Sequence, residues 1–164
     1  MMNVLLIANI LLVVSYVGIT IGRMKSLPES ISAMVYELPK ERQWVWSAWL
    51  CLVSVTLFEP LVFRVEFIGW LATVGLFGAA LTPLIDLEKR RWHYCLAIGA
   101  GVLSQVTVLL VSPLWLSAWL VLLLVIGGMY VYPQGRLARA IEGRGVFIAE
   151  CICWVALVGC LMCN

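Results

Sequence analysis

Two glutamates and a glutamine interrupt otherwise apolar stretches of this sequence, and they are its sharpest chemical signal. Glu59 precedes Arg64 by five residues and is followed at once by Pro60; Glu150 lies six residues past Arg144; Gln105 sits beside Ser104 and two before Thr107. A charged side chain near the middle of a membrane span costs about 2.5–3.5 kcal/mol, so such residues usually face a bundle interior or a cavity. A carboxylate in such a place binds a cation or relays a proton, or else it reaches for the nearest interface. Pro60 has no N–H, which leaves the Thr56 carbonyl without its helical donor. A carboxylate and a freed carbonyl on neighbouring turns offer oxygens that suit a hard cation or a proton relay. The competing reading is a structural pair in which Arg64 reaches back and neutralises Glu59. The Gln105 amide needs partners in a lipid-bounded bundle, supplied either by other helices or by a solute.

A second group gathers near one predicted membrane surface: Ser30, Ser32, Asp86 and His93. A Ser–His–Asp arrangement is conceivable there, although no strained elbow or oxyanion loop accompanies it. The other reading of His93 is an interfacial side chain among Arg90, Arg91 and Trp92. His93 is the one histidine, so a multi-histidine zinc site has too few ligands. The six cysteines (Cys51, Cys95, Cys151, Cys153, Cys160 and Cys163) contain no C-x-x-C motif. Small apolar packing accounts for them, and no metal or cofactor is implied.

The elements that must position these groups are set by composition. Of 164 residues 63% are hydrophobic and 12% charged, with a mean hydropathy of +1.04. A soluble domain carries roughly a quarter charged residues and about half apolar. This excess excludes a water-soluble globule, a nucleic-acid binder and a disordered chain, and a net charge of +2 argues for no polyanionic partner. A spanning helix needs about 20 mostly apolar residues. Six stretches qualify, at about 3–22, 44–63, 67–85, 94–113, 114–132 and 145–164. The fourth and fifth are parted only at Ser112-Pro113-Leu114, where the proline favours a turn. The expected fold is an all-α six-span bundle, a single integral membrane domain over residues 1–164. The first stretch reads as a retained span, because Arg23 and Lys25 follow its apolar run.

Charge orients the bundle. The loops at 23–43, 86–93 and 133–144 hold Arg23, Lys25, Lys40, Arg42, Lys89, Arg90, Arg91, Arg136, Arg139 and Arg144, leaving only Arg64 for the other face. The loaded face is predicted to be cytoplasmic, with both termini outside. Trp44, Trp46 and Trp92 fall at that boundary and Trp115 at the outer one, as headgroup-level anchors. Between the first two spans, Leu27, Ile31, Met34, Val35 and Leu38 recur at offsets of 4, 7, 8 and 11. Ser26 and Glu29 have capping-box spacing, and Pro39 ends the run. These features predict a short amphipathic helix over 26–39, lying on the cytoplasmic interface. The pairs Gly18–Gly22, Gly75–Ala79 and Ala97–Gly101 permit close helix approach, within the bundle or in a homo-oligomer.

The Leu-Pro-Glu-Ser-Ile-Ser stretch at 27–32, the Leu-Pro at 38–39, the Trp-rich second span and the basic loop ending Trp-His-Tyr resemble a known pattern. It is that of small multi-pass membrane proteins encoded by phages and mobile elements of gut anaerobes. The resemblance covers roughly residues 26–110. It implies a prokaryotic inner membrane and lends no activity or site.

Three function classes follow. The first is a transport or channel-type protein for an ion or small solute, with Glu59, Gln105 and Glu150 as pathway residues. The second is a phage or mobile-element interaction protein, such as a superinfection-exclusion or defence component, binding a protein partner through its cytoplasmic loops. The third is a lipid-modifying enzyme using Ser30, Ser32, Asp86 and His93. All three share the bilayer as partner. The predicted topology is tested by thiol labelling in an otherwise cysteine-free chain. A cysteine at position 164 is expected to react from outside and one in 133–144 from inside; cytoplasmic labelling of position 164 would overturn the span count or its orientation.

Overall fold

The computed structural model describes residues 2–24, 27–32, 34–85, 90–131 and 143–163. Among the described residues all regular structure is helical. The helices are α1 (Met2–Met24), α2 (Met34–Glu37), α3 (Gln43–Arg64), α4 (Glu66–Ile85), α5 (Arg90–Val111), α6 (Ala118–Val131) and α7 (Gly145–Cys163). Single 3-10 segments precede α3, at Lys40–Arg42, and α6, at Pro113–Ser117. Five helices are long and apolar enough to cross a membrane: Asn3–Met24, Lys40–Arg64, Glu66–Ile85, Arg91–Val111 and Gly145–Cys163. They match five of the six expected stretches. The remaining stretch, 114–132, is a 3-10 segment leading into the 14-residue α6. The long apolar run does break at Ser112, whose φ and ψ of −156° and 87° leave the helix, and Pro113 opens the 3-10 turn.

The core is built from one face of α3. Trp46, Leu50, Val53, Leu57 and Leu61 recur at helical spacing and are all buried. Trp46 is therefore a core residue with no exposed surface, not the headgroup anchor that its position near a span end predicts; Trp44 and Trp92 remain about 60% exposed. The sequential helices α3, α4 and α5 pack in turn against one another, and α1 lies on α3. Small residues set the α4–α5 approach: a Cβ at Gly75 would lie 3.4 Å from that of Ala100, and one at Gly78 would meet Leu96. Gly18 and Gly22 of the first small-residue pair have open space beside them.

Helix α7 approaches α5, α6 and α1 rather than α3. Two side-chain bridges fasten it. Asn9 of α1 donates to the Val53 carbonyl (3.1 Å) and the Thr56 hydroxyl (2.8 Å) of α3, and accepts from the Trp154 indole of α7 (2.9 Å). Gln105 of α5 donates to the Cys153 carbonyl (3.0 Å) and accepts from the Trp119 indole of α6 (2.9 Å). Both residues thus resolve their burial with interhelical hydrogen bonds.

The α3–α4 corner turns on one residue, Val65, whose N–H donates to Leu61 and whose carbonyl accepts from Gly69. A Cβ at Gly69 would lie 2.5 Å from the Leu61 carbonyl oxygen, and that backbone has no room to yield. Gly69→Ala is expected to destabilise the protein by about 1–3 kcal/mol, read as a lower midpoint of tryptophan-monitored unfolding in detergent. An unchanged midpoint would show that the corner relaxes freely.

Candidate functional site

Sequence spacing predicts one amphipathic helix over residues 26–39, but among the described residues of that stretch only Met34–Glu37 is α-helical. Residues 27–32 run irregularly and turn at Ile31–Ser32, because their backbone donors and acceptors are taken by other helices. The Glu150 carboxylate of α7 accepts the Ile31 N–H, the Ser32 N–H (3.4 Å) and the Ser32 hydroxyl (2.6 Å). The Trp46 indole donates to the Ile31 carbonyl (3.4 Å), and Phe147 N–H donates to the Glu29 carbonyl (3.1 Å). The Ser30 hydroxyl lies 3.2 Å from that of Ser32. Pro28, Met34 and Val35 are fully buried, so the segment's apolar residues face the bundle.

His93 completes this end. It is fully buried on α5, with Nε2 3.0 Å from the Ser32 carbonyl and Nδ1 2.9 Å from the Thr82 hydroxyl and 3.0 Å from the Ala79 carbonyl. A carbonyl faces each nitrogen, so a neutral ring donates to one of them, Ser32 from Nε2–H or Ala79 from Nδ1–H. The Thr82 hydroxyl also reaches the Ala79 carbonyl (2.8 Å), and only the protonated ring donates to both carbonyls. Tyr36, Trp46 and Tyr94 surround the imidazole at centroid distances of 5.5–5.7 Å. His93 is thus a tie between α5, α4 and the segment, and not a surface side chain.

Beneath this closure lies a cavity of about 970 Å³ between α3, α4, α5 and α7, with α6 at its side. Its lining runs along α3 from Trp46 to Leu61 and along α5 from His93 to Leu109. At 1.5 Å per residue those limits are about 22–24 Å apart, most of the roughly 30 Å of a bilayer's hydrocarbon core. The walls are mainly aliphatic and aromatic, including Trp49, Trp119 and Trp154. Polar groups mark two levels: Ser30, Ser32, His93 and Glu150 at the closed end, and Thr73, Ser104 and Gln105 along the length.

Of the residues singled out by sequence, Gln105 and Glu150 line this cavity and Ser30, Ser32 and His93 meet at its end. Glu59 is not among the lining residues; it is partly buried near the far end of α3. Among the described residues it forms no ion pair with Arg64, whose Nε is buried without a hydrogen-bond partner. Asp86 lies outside the described residues. A serine–histidine relay is not assembled: His93 meets the carbonyl of Ser32, whereas the Ser32 hydroxyl goes to Glu150. Among the described residues no three His, Cys, Asp or Glu side chains converge to hold a metal, and no cysteines are joined. Sequence reasoning missed Thr82 and the inward role of Trp46. The helical spacing of Trp46 with Leu50 and Val53 was the available signal for the second.

Hydrogen bonds to a charged group contribute about 1.5–3 kcal/mol each. Glu150→Ala is therefore expected to raise amide hydrogen exchange across 27–32 by about tenfold or more, measured by mass spectrometry, with Glu150→Gln falling between. Unchanged protection in the alanine variant would show that the segment is held without Glu150.

No protein-family model, curated protein or solved structure matches this chain.

Proposed function

We propose that this is a small transport or channel-type protein that carries an ion or small solute through the cavity between α3, α5 and α7. The observation that carries the reading is the cavity's extent: a single space about 22–24 Å long within helices of spanning length. Its wall includes the exposed Tyr94, Ile98, Val102 and Val146, so the space opens sideways between the helices as well as running along them. Gln105 and Glu150 are its pathway residues, and the segment 27–32 closes one end. The burial of Met34 and Val35 in the core favours this reading over a partner-docking helix, which would leave its apolar face available.

The setting we propose is a prokaryotic inner membrane, crossed six times with both termini outside. The 3-10 segment and α6 together reach about 31 Å, enough for the sixth crossing. The basic loops then share the cytoplasmic face with the closed end of the cavity.

A path for solutes must admit water. In a cysteine-free chain, Ala97→Cys and Ala149→Cys, both on the cavity wall, are expected to react with a membrane-impermeant thiol reagent. Leu110→Cys, which is on α5 but exposed outside the cavity, is expected to stay unlabelled. If the wall positions are as inert as position 110, the cavity is filled by lipid and the transport reading fails.

A further inference from the structure

The chemistry of the lining selects a solute. We infer that the cavity takes a lipophilic organic cation, with its apolar body between the tryptophans and its charge toward Glu150; this rests on the reading of the cavity as a solute path.

The charge balance carries the argument. Glu150 is held by neutral donors only, namely two backbone amides and a serine hydroxyl. Hydrogen bonds from neutral groups spread a carboxylate's charge but do not cancel it. Among the described residues no lysine or arginine lines the cavity, and none pairs with Glu150. His93 lines it too, but its ring meets Ser32, Thr82 and Ala79 and not Glu150, and Glu29 adds a second acid to the same end. In low dielectric an uncancelled charge attracts its opposite far more strongly than in water. A bound cation supplies the missing counter-charge.

The remaining polar groups exclude other solutes. The Thr73 hydroxyl donates to the Gly69 carbonyl and that of Ser104 to the Gly101 carbonyl. Gln105 directs its amide to Ser104 and Cys153 and its carbonyl to the Trp119 indole. These donors are engaged within the protein, so an anion or a heavily hydroxylated solute would find few partners along the wall. An apolar body loses little by entering, and aromatic rings in the wall, Trp119 and Trp154 with Trp49 stacked on Tyr16 behind, suit a diffuse positive charge.

The test compares two ions of nearly identical shape and opposite charge, tetraphenylphosphonium and tetraphenylborate. Equilibrium binding to the full chain in nanodiscs is measured against empty nanodiscs. The protein is expected to bind the phosphonium saturably, and about tenfold or more tighter than the borate. Glu150→Gln is expected to erase that preference, and Glu150→Asp to keep it. Equal binding of the two ions, absence of saturable phosphonium binding, or a preference that survives Glu150→Gln would overturn the inference. Should the glutamine variant not fold, the wild-type comparison and the aspartate variant decide. Thiol labelling at positions 97 and 149 separates the two readings: if it persists without a cation preference, the solute path stands and only the substrate class falls.

Discussion

Helix α7 is fastened to the bundle by packing along its length, with side-chain hydrogen bonds added over the half toward Gly145. Lipid tails are as apolar as leucine, so helices in a bilayer are held by packing and polar ties and not by the hydrophobic effect. Toward Cys163, α7 buries Ala156, Leu157, Val158, Cys160 and Leu161, and the Trp115 ring fills the place where Gly159 has no Cβ. Toward Gly145 the ties are polar: Trp154 to Asn9, the Cys153 carbonyl to Gln105, and Glu150 to Ile31 and Ser32. Long polar side chains hold a helix at a greater distance than interlocked small residues do. The cavity runs along this side of α7, where its wall extends from Val146 to Leu157. Opening either half must unpack side chains, Phe147 and Ile152 toward Gly145 included, but only toward Gly145 does it also break hydrogen bonds that water can replace.

The irregular backbone of 27–32 obeys the same constraint. Non-helical backbone near a membrane is tolerated where it is buried in protein or lines a cavity, since lipid offers no partners. Here the bundle supplies them: Glu150 and Phe147 from α7, Trp46 from α3 and His93 from α5. Three helices are thereby joined through six residues of loop.

Hydropathy alone made the five long helices legible, because about 20 apolar residues have few other ways to satisfy their backbone. The break at Pro113 was legible from the missing N–H. The amphipathic helix was not, because its apolar spacing is equally served by a chain that tucks Pro28, Met34 and Val35 into the core. What decides between them is a carboxylate 118 and 119 residues away, and no local pattern encodes that contact. Trp46 shows the opposite case. Its nearness to a span end argued for the interface, while its register with Leu50, Val53 and Leu57 argued for the core, and packing prevailed. Of the candidate site, sequence found Ser30, Ser32, His93, Gln105 and Glu150 as residue types in unusual places. It did not find that Ser32 serves Glu150 with its hydroxyl and His93 with its carbonyl.

The two intramembrane acids show how depth and hydrogen-bonding partners act separately. Glu59 lies five residues from the end of α3 and Glu150 five from the start of α7, so each is about 7.5 Å from a helix terminus. Depth alone would treat them alike. The difference is in their partners: the chain folds back across the bundle at 27–32, and its amides and the Ser32 hydroxyl bond Glu150, which like Glu59 keeps part of its surface exposed. No such segment among the described residues donates a hydrogen bond to Glu59. The segment and Glu150 therefore depend on each other. Without the carboxylate the segment's amides lose their acceptor, and without the segment the carboxylate faces the aqueous end of the bundle, open to whatever cation arrives there.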